Sequence, residues 1–134
     1  MCDYLIVHCC SLRILLVDDD EELIDRLRRQ LPAFGCELDA APDAPRGLAK
    51  ALRGGYDALV LSAVLSGFDG FTLLETLRRQ SPVPVIMMCP PVPAISDARR
   101  RPDGFLPKPF QAEDLIRQVQ AFINPSRAVS AAWA

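Results

Sequence analysis

The chain is almost without histidine, His8 being the only one, and its five cysteines, Cys2, Cys9, Cys10, Cys36 and Cys89, form no CxxC pair. A tetrahedral zinc site therefore lacks both ligands and spacing. Net charge is equally scarce: a formal −2 with 24% charged residues offers no basic excess for a polyanion, so nucleic acid is not an expected partner. Long apolar runs are missing as well. Leu5 to Val7 and Cys9 to Leu16 are apolar, but Asp3 and Arg13 interrupt the pattern that a secretory signal or a spanning helix needs, so neither export nor membrane insertion is expected. An odd number of unpatterned thiols suits a reducing, cytoplasmic interior, where cysteine behaves as a small hydrophobe.

What the chain does have is a core. With 134 residues, half of them apolar, it is long enough for one compact domain and too short for two. The pattern assigns residues 1–11 to an N-terminal extension, 12–124 to the domain, and 125–134, which lack periodicity, to a flexible tail.

Within the domain, short apolar runs alternate with segments of helical period, which predicts repeated strand-helix units and a parallel sheet covered on both faces. The predicted strands are Arg13–Val17, Cys36–Ala40, Ala58–Leu61, Val85–Met88 and Gly104–Leu106. A helix is expected from about Asp20 to the Pro32–Gly35 region, with Leu23, Ile24, Leu27 and Leu31 on one face. A second opens at Pro45 and is closed by Gly54-Gly55; a third covers Phe71–Gln80 after a turn at Ser66-Gly67; a last one covers Gln111–Ile123. Pro90, Pro91, Pro93 and Pro102 leave only Ala94–Arg101 for the fourth helix, which is expected to be short or irregular. In such a doubly wound sheet the crevice lies beyond the C-terminal strand ends. Asp18, Asp19, Asp20, Ser62, Cys89 and Lys108 all fall there.

Three local strings carry a resemblance: Ile14-Leu15-Leu16-Val17-Asp18-Asp19-Asp20-Glu21-Glu22; Tyr56-Asp57-Ala58-Leu59-Val60-Leu61 with Gly67-Phe68-Asp69-Gly70; and Phe105-Leu106-Pro107-Lys108-Pro109-Phe110. In this order and spacing they resemble the receiver domain of two-component response regulators over residues 12 to 124. The resemblance implies a five-stranded flavodoxin-like α/β fold of (βα)5 type, a bacterial phosphorelay setting, and a Lys-Pro bond that is often cis. It also implies a pocket in which an acidic pair holds magnesium, a carboxylate at the end of the third strand attacks a phosphohistidine, and a lysine and a hydroxyl bind the phosphoryl oxygens. Spread negative charge on a phosphoryl group in transfer is why the cations are needed.

Carried over by position, Asp18 and Asp19 match the acidic pair, Lys108 the lysine and Phe105 the switch aromatic. Ser62 stands at the phosphoacceptor position, and Cys89, followed by Pro90, stands where a switch hydroxyl is expected. Ser66 takes a place commonly held by proline, and 19 residues separate Cys89 from Lys108, a short interval for the family. Alone, the two acids would merely favour a helix dipole, Lys108 would be a solvated lysine, and Arg99-Arg100-Arg101 a solvated helix face. Ser62 is expected to be an inert replacement, because a serine hydroxyl needs a base to become a nucleophile. Cys89 is expected to be inert as well, since nearby acids disfavour its thiolate.

The pocket is thus read as a degenerate phosphorylation pocket of Asp18, Asp19, Ser62, Cys89 and Lys108. No cofactor is required; magnesium, where bound, is held weakly by Asp18, Asp19 and the Val64 carbonyl. Asp18, Asp19 and Lys108 sum to −1, so Lys108 is expected to pair permanently with Asp18 or Asp19. The expected function is a stand-alone, non-enzymatic module of phosphorelay signalling that works by phosphorylation-independent contact with a histidine kinase, another regulator or an output protein. Its output face is expected to be built from the fourth helix, fifth strand and last helix. The competing expectation is a phosphoryl-handling protein, modified on Ser62 or using an Asp18-Asp19 magnesium site.

Overall fold

The computed structural model describes residues 12–65, 68–88 and 102–123. Five strands form one parallel sheet: β1 (Leu12–Val17), β2 (Cys36–Ala41), β3 (Ala58–Ser62), β4 (Val85–Met88) and β5 (Gly104–Leu106), in the order β2-β1-β3-β4-β5. Among the described residues four α-helices accompany them: α1 (Glu21–Gln30), α2 (Ala44–Arg53), α3 (Gly70–Arg78) and α4 (Ala112–Ile123). The doubly wound parallel architecture expected from the sequence is present. The fourth helix of the expected five would fall at Ala94–Arg101, outside the described residues, as do the extension at 1–11 and the tail at 125–134.

β1 and β3 read as unbroken apolar runs because both their faces are covered. Ile14, Leu16 and Val60 point to one face and pack with Leu23, Leu27 and Leu31 of the first helical segment and with Leu115 and Val119 of α4. Leu15, Val17, Leu59 and Leu61 point the other way, onto Ala51 of α2 and Leu73, Leu74 and Leu77 of α3. Each of these side chains is nearly or fully removed from water, and truncating one such leucine to alanine costs about 2–5 kcal/mol.

Aspartates start three of the helices. Asp20 accepts from the Leu23 N–H at 3.1 Å, Asp43 from Arg46 at 2.9 Å and Asp69 from Phe71 at 3.0 Å, each satisfying an orphan donor of the first turn. α1 tightens into a 3-10 turn at Leu31–Phe34 and ends at Gly35, whose φ of 77° needs a residue without a side chain. α3 begins one residue earlier than its periodicity suggests, because the Asp69 cap draws Gly70 into the first turn. It also ends earlier, at Arg78, where the Leu77 carbonyl accepts both the Gln80 and Ser81 N–H groups. Val64–Leu65 pairs antiparallel with Phe68–Asp69, and the turn expected at Ser66-Gly67 lies outside the described residues.

The order β2-β1-β3 means that the chain leaves β1 toward opposite sides of the sheet to make β2 and β3. The crevice this opens at the C-terminal ends of β1 and β3 is where such folds place their chemistry.

Candidate functional site

Strand alternation explains which side chains meet at that crevice. Asp18, Ser62 and Lys108 each follow by two positions a core residue of the same sheet face: Leu16, Val60 and Leu106. Side chains repeat every second residue, so all three are delivered to one side. β1 and β3 run in register, Val17 beside Leu61, which brings Asp18 alongside Ser62. Asp18 is only 2% exposed and Ser62 6%. Asp19, one step out of phase, is exposed at the rim.

Lys108 reaches across 90 residues of sequence to place its Nζ 2.6 Å from Asp18 Oδ2 and 3.9 Å from Asp20 Oδ2. The other Asp18 oxygen accepts the Asp20 N–H at 3.2 Å, so both oxygens of the buried carboxylate are engaged. The Lys108–Pro109 bond is cis. Ser62 donates its hydroxyl to the Val64 carbonyl at 2.8 Å. Phe105 is 36% exposed, and its carbonyl accepts from Gln118 Nε2 at 2.6 Å. Cys89 lies outside the described residues.

Sequence reasoning singled out Asp18, Asp19 and Lys108 together; the structure brings Asp18 and Lys108 into direct contact and adds Asp20, which both caps α1 and faces the ammonium. Two further residues shape the site without belonging to any quoted role. Gly70 packs its backbone so tightly against β3 that a Cβ there would lie 2.0 Å from the Ser62 carbonyl oxygen. Arg26 of α1 donates to the Phe110 carbonyl at 2.8 Å, two residues beyond Lys108. A cleft of about 620 Å³ opens beside the pair, lined by Asp20, Asp25, Arg26, Lys108, Pro109 and Phe110 among others.

A hard divalent cation seeks carboxylate and carbonyl oxygens. The oxygens at hand fit one poorly: Asp18 is held by an ammonium, and the Val64 carbonyl already accepts the serine hydroxyl. Among the described residues no group of three or more His, Cys, Asp or Glu is disposed to hold a metal ion, and no helix is long and apolar enough to cross a membrane.

Away from the crevice, Asp39 of β2 accepts from Lys50 Nζ at 2.8 Å and from the Tyr56 hydroxyl. Partial burial pushes the Asp39 carboxyl up, but its bonds to Lys50 and Tyr56 outweigh this and hold it below the usual carboxylate range. Burial and the same carboxylate raise Tyr56. Burial, with Asp57 nearby, pushes the Cys36 thiol up to about 11.

Known proteins resemble this chain over most of its length. The family model described as response regulator receiver domain matches residues 14–120. The transcriptional activator protein PfeR of Pseudomonas aeruginosa is 35% identical over 120 residues, covering 87% of this chain and 39% of that protein. The regulatory protein VanRB of Enterococcus faecalis is 31% identical over 127 residues, covering 90% and 56% respectively. The chain thus spans about two fifths to somewhat over half of these curated relatives. Among solved structures, the receiver domain of sensor histidine kinase PA1611 from Pseudomonas aeruginosa, described with a magnesium ion coordinated in its active site cleft, superposes with a TM-score of 0.68. It is 26% identical, and the match covers 85% of this chain and 98% of that one.

Proposed function

Because this chain belongs to the response regulator receiver domain family, we propose that it serves two-component signalling as a protein-interaction module whose pocket does not accept phosphate. The observation that carries this is the side chain at the end of β3, a serine whose proton is committed to the Val64 carbonyl. Acceptance of a phosphoryl group needs a nucleophile facing the donor. A hydroxyl becomes one only when a base removes its proton, and Asp18 alongside it already accepts from Lys108 and the Asp20 amide.

The same contacts describe what the pocket does instead. In a phosphate-accepting receiver the lysine binds a phosphoryl oxygen; here Lys108 is bonded to a carboxylate that water hardly reaches. A charge pair with one buried member resists separation, because the carboxylate left behind would be desolvated and unpaired. The β5–α4 loop that carries Lys108 is therefore held in one position, and the surface beside it is offered to a partner without a phosphorylation step. The partner class is a protein, a histidine kinase, another regulator or an output protein, met in a reducing cytoplasm; neither nucleic acid binding nor catalysis is part of the role. Magnesium is not required, and Asp18 and Asp19 would hold it only weakly.

The test is phosphorylation itself. Incubated with acetyl phosphate and magnesium, or with a histidine kinase, the protein is expected to show no added phosphate by intact mass. The Ser62→Asp variant, which restores a carboxylate at the end of β3, is expected to gain an acid-labile one. Phosphate on the wild-type chain, at Ser62 or at an aspartate, would overturn the proposal.

A further inference from the structure

The Lys108 loop is held from two places on a single helix. At the start of α1, Asp20 caps the helix through the Leu23 N–H and lies 3.9 Å from the Lys108 ammonium. Six residues later, Arg26 bonds the Phe110 carbonyl at 2.8 Å and sets its guanidinium 5.9 Å from the centre of the Phe110 ring. Phe110 is 4% exposed and lies against the core, so a grip on it is a grip on a fixed point of the loop. The Arg26 Nε is buried and finds no partner among the described residues. A buried donor left without an acceptor is a cost, and Arg26 keeps that position because its other contacts hold it there. Nothing about the spacing of Arg26 and Phe110, 84 residues apart, requires them to meet.

We propose that Arg26 is a positioning residue for Lys108: by clamping the Phe110 carbonyl and ring to α1, it fixes the 107–110 loop so that the ammonium stays on Asp18. The inference rests on the reading above only in taking Lys108 as the fixed cation of the pocket. Arg26 touches neither Lys108 nor Asp18 through any bond found here. Its influence runs through the loop backbone: Arg26 to Phe110, Phe110 through Pro109 to Lys108, Lys108 to Asp18. Cation-to-ring contact and a charge-assisted bond to a carbonyl together supply more than either alone.

The sequence provides an internal control, since Lys50 and Lys108 are its only lysines and Lys50 is paired with Asp39 on β2, away from α1. Amine acylation of the whole chain, quantified at each lysine by peptide mass spectrometry, reads how firmly each ammonium is held. In Arg26→Met, which keeps an apolar stem and loses the guanidinium, and in Arg26→Gln, labelling of Lys108 relative to Lys50 is expected to rise on the order of fivefold, the effect of losing one hydrogen bond's worth of restraint. Asp18→Asn is expected to raise the same ratio, and adding Arg26→Met to it should raise it little more, because both changes release one contact. An unchanged ratio in both Arg26 variants would overturn the proposal, and so would an equal rise at both lysines, which marks general loosening. Labelling requires no phosphate, so a receiver that proved to accept phosphate would leave this result standing, and an unchanged ratio would leave the phosphorylation result standing.

Discussion

The two lysines of the chain each sit on an aspartate at nearly the same distance, 2.6 Å for Lys108 on Asp18 and 2.8 Å for Lys50 on Asp39. Their surroundings differ. Asp18 has a side chain 2% exposed and is reached from 90 residues away at the strand ends that form the crevice; Asp39 is 31% exposed and is met by a lysine 11 residues on, from the helix that follows its own strand. Asp39 also has the Tyr56 hydroxyl and an amide, and solvent could replace much of what it would lose. Distance alone therefore does not rank the pairs. What ranks them is how much water would return to the carboxylate if the lysine left.

The comparison can be broken most severely from beneath. Gly70→Ala would drive a methyl group into the Ser62 carbonyl and the Ala63 backbone, atoms that cannot move aside without displacing β3. A loss of about 3 kcal/mol or more is expected in urea unfolding, with the crevice end disturbed and the Asp39 cluster intact. Next in size, Lys108→Met strands the Asp18 carboxylate. Discounted for the half-open position of the lysine, a loss of about 2–3 kcal/mol is expected, and Asp18→Asn in the same background should recover most of it. A Lys108→Met variant as stable as wild type would place the two pairs in one class. Lys50→Met is expected to cost less than about 1 kcal/mol, because Asp39 keeps its tyrosine and its access to water.

Acid sharpens the contrast. The folded-state pKa of Asp39 lies below its unfolded value of 3.8, so the stability it contributes is present above that value and is lost as pH falls through the lower folded pKa. In Asp39→Asn the decline of stability below about pH 4 should be shallower than in wild type, which an acid titration at fixed urea concentration would read. The smallest expected effect is at Cys36, whose thiol is pushed up from 9.0 to about 11. At pH 8 the native protein should leave this cysteine unmodified by a thiol reagent that labels it readily after unfolding.

Several elements were legible before any fold was known, for physical reasons that stay local. Strands β4 and β5 coincide with their apolar runs, and β1 to β3 differ by a residue at their ends. Buried parallel strands must be continuously apolar, and proline or glycine marks where they stop. The C-terminal placement of Asp18, Ser62 and Lys108 followed from the same alternation. Other features were not legible. Asp18 and Asp19 are indistinguishable as adjacent letters, yet strand phase buries one and exposes the other. Asp20 was placed at the crevice by its position after β1, but only the packing shows it 3.9 Å from the Lys108 ammonium. Gly70 stood only within a string that resembles the family, and only the approach of α3 to β3 shows why no side chain fits there.

By itself, then, the sequence determined the order of strands and helices, the family, the identity of the side chains at the crevice and the serine at the end of β3. These depend on periodicity and on short strings, which any chain writes along its own length. Only the tertiary structure decided which acid Lys108 holds, that the Ser62 proton goes to a carbonyl and not to a carboxylate, and that Arg26 grips Phe110. Each of those is a contact set by how strands and helices pack across the sheet, where a shift of one residue in phase exchanges a buried group for an exposed one.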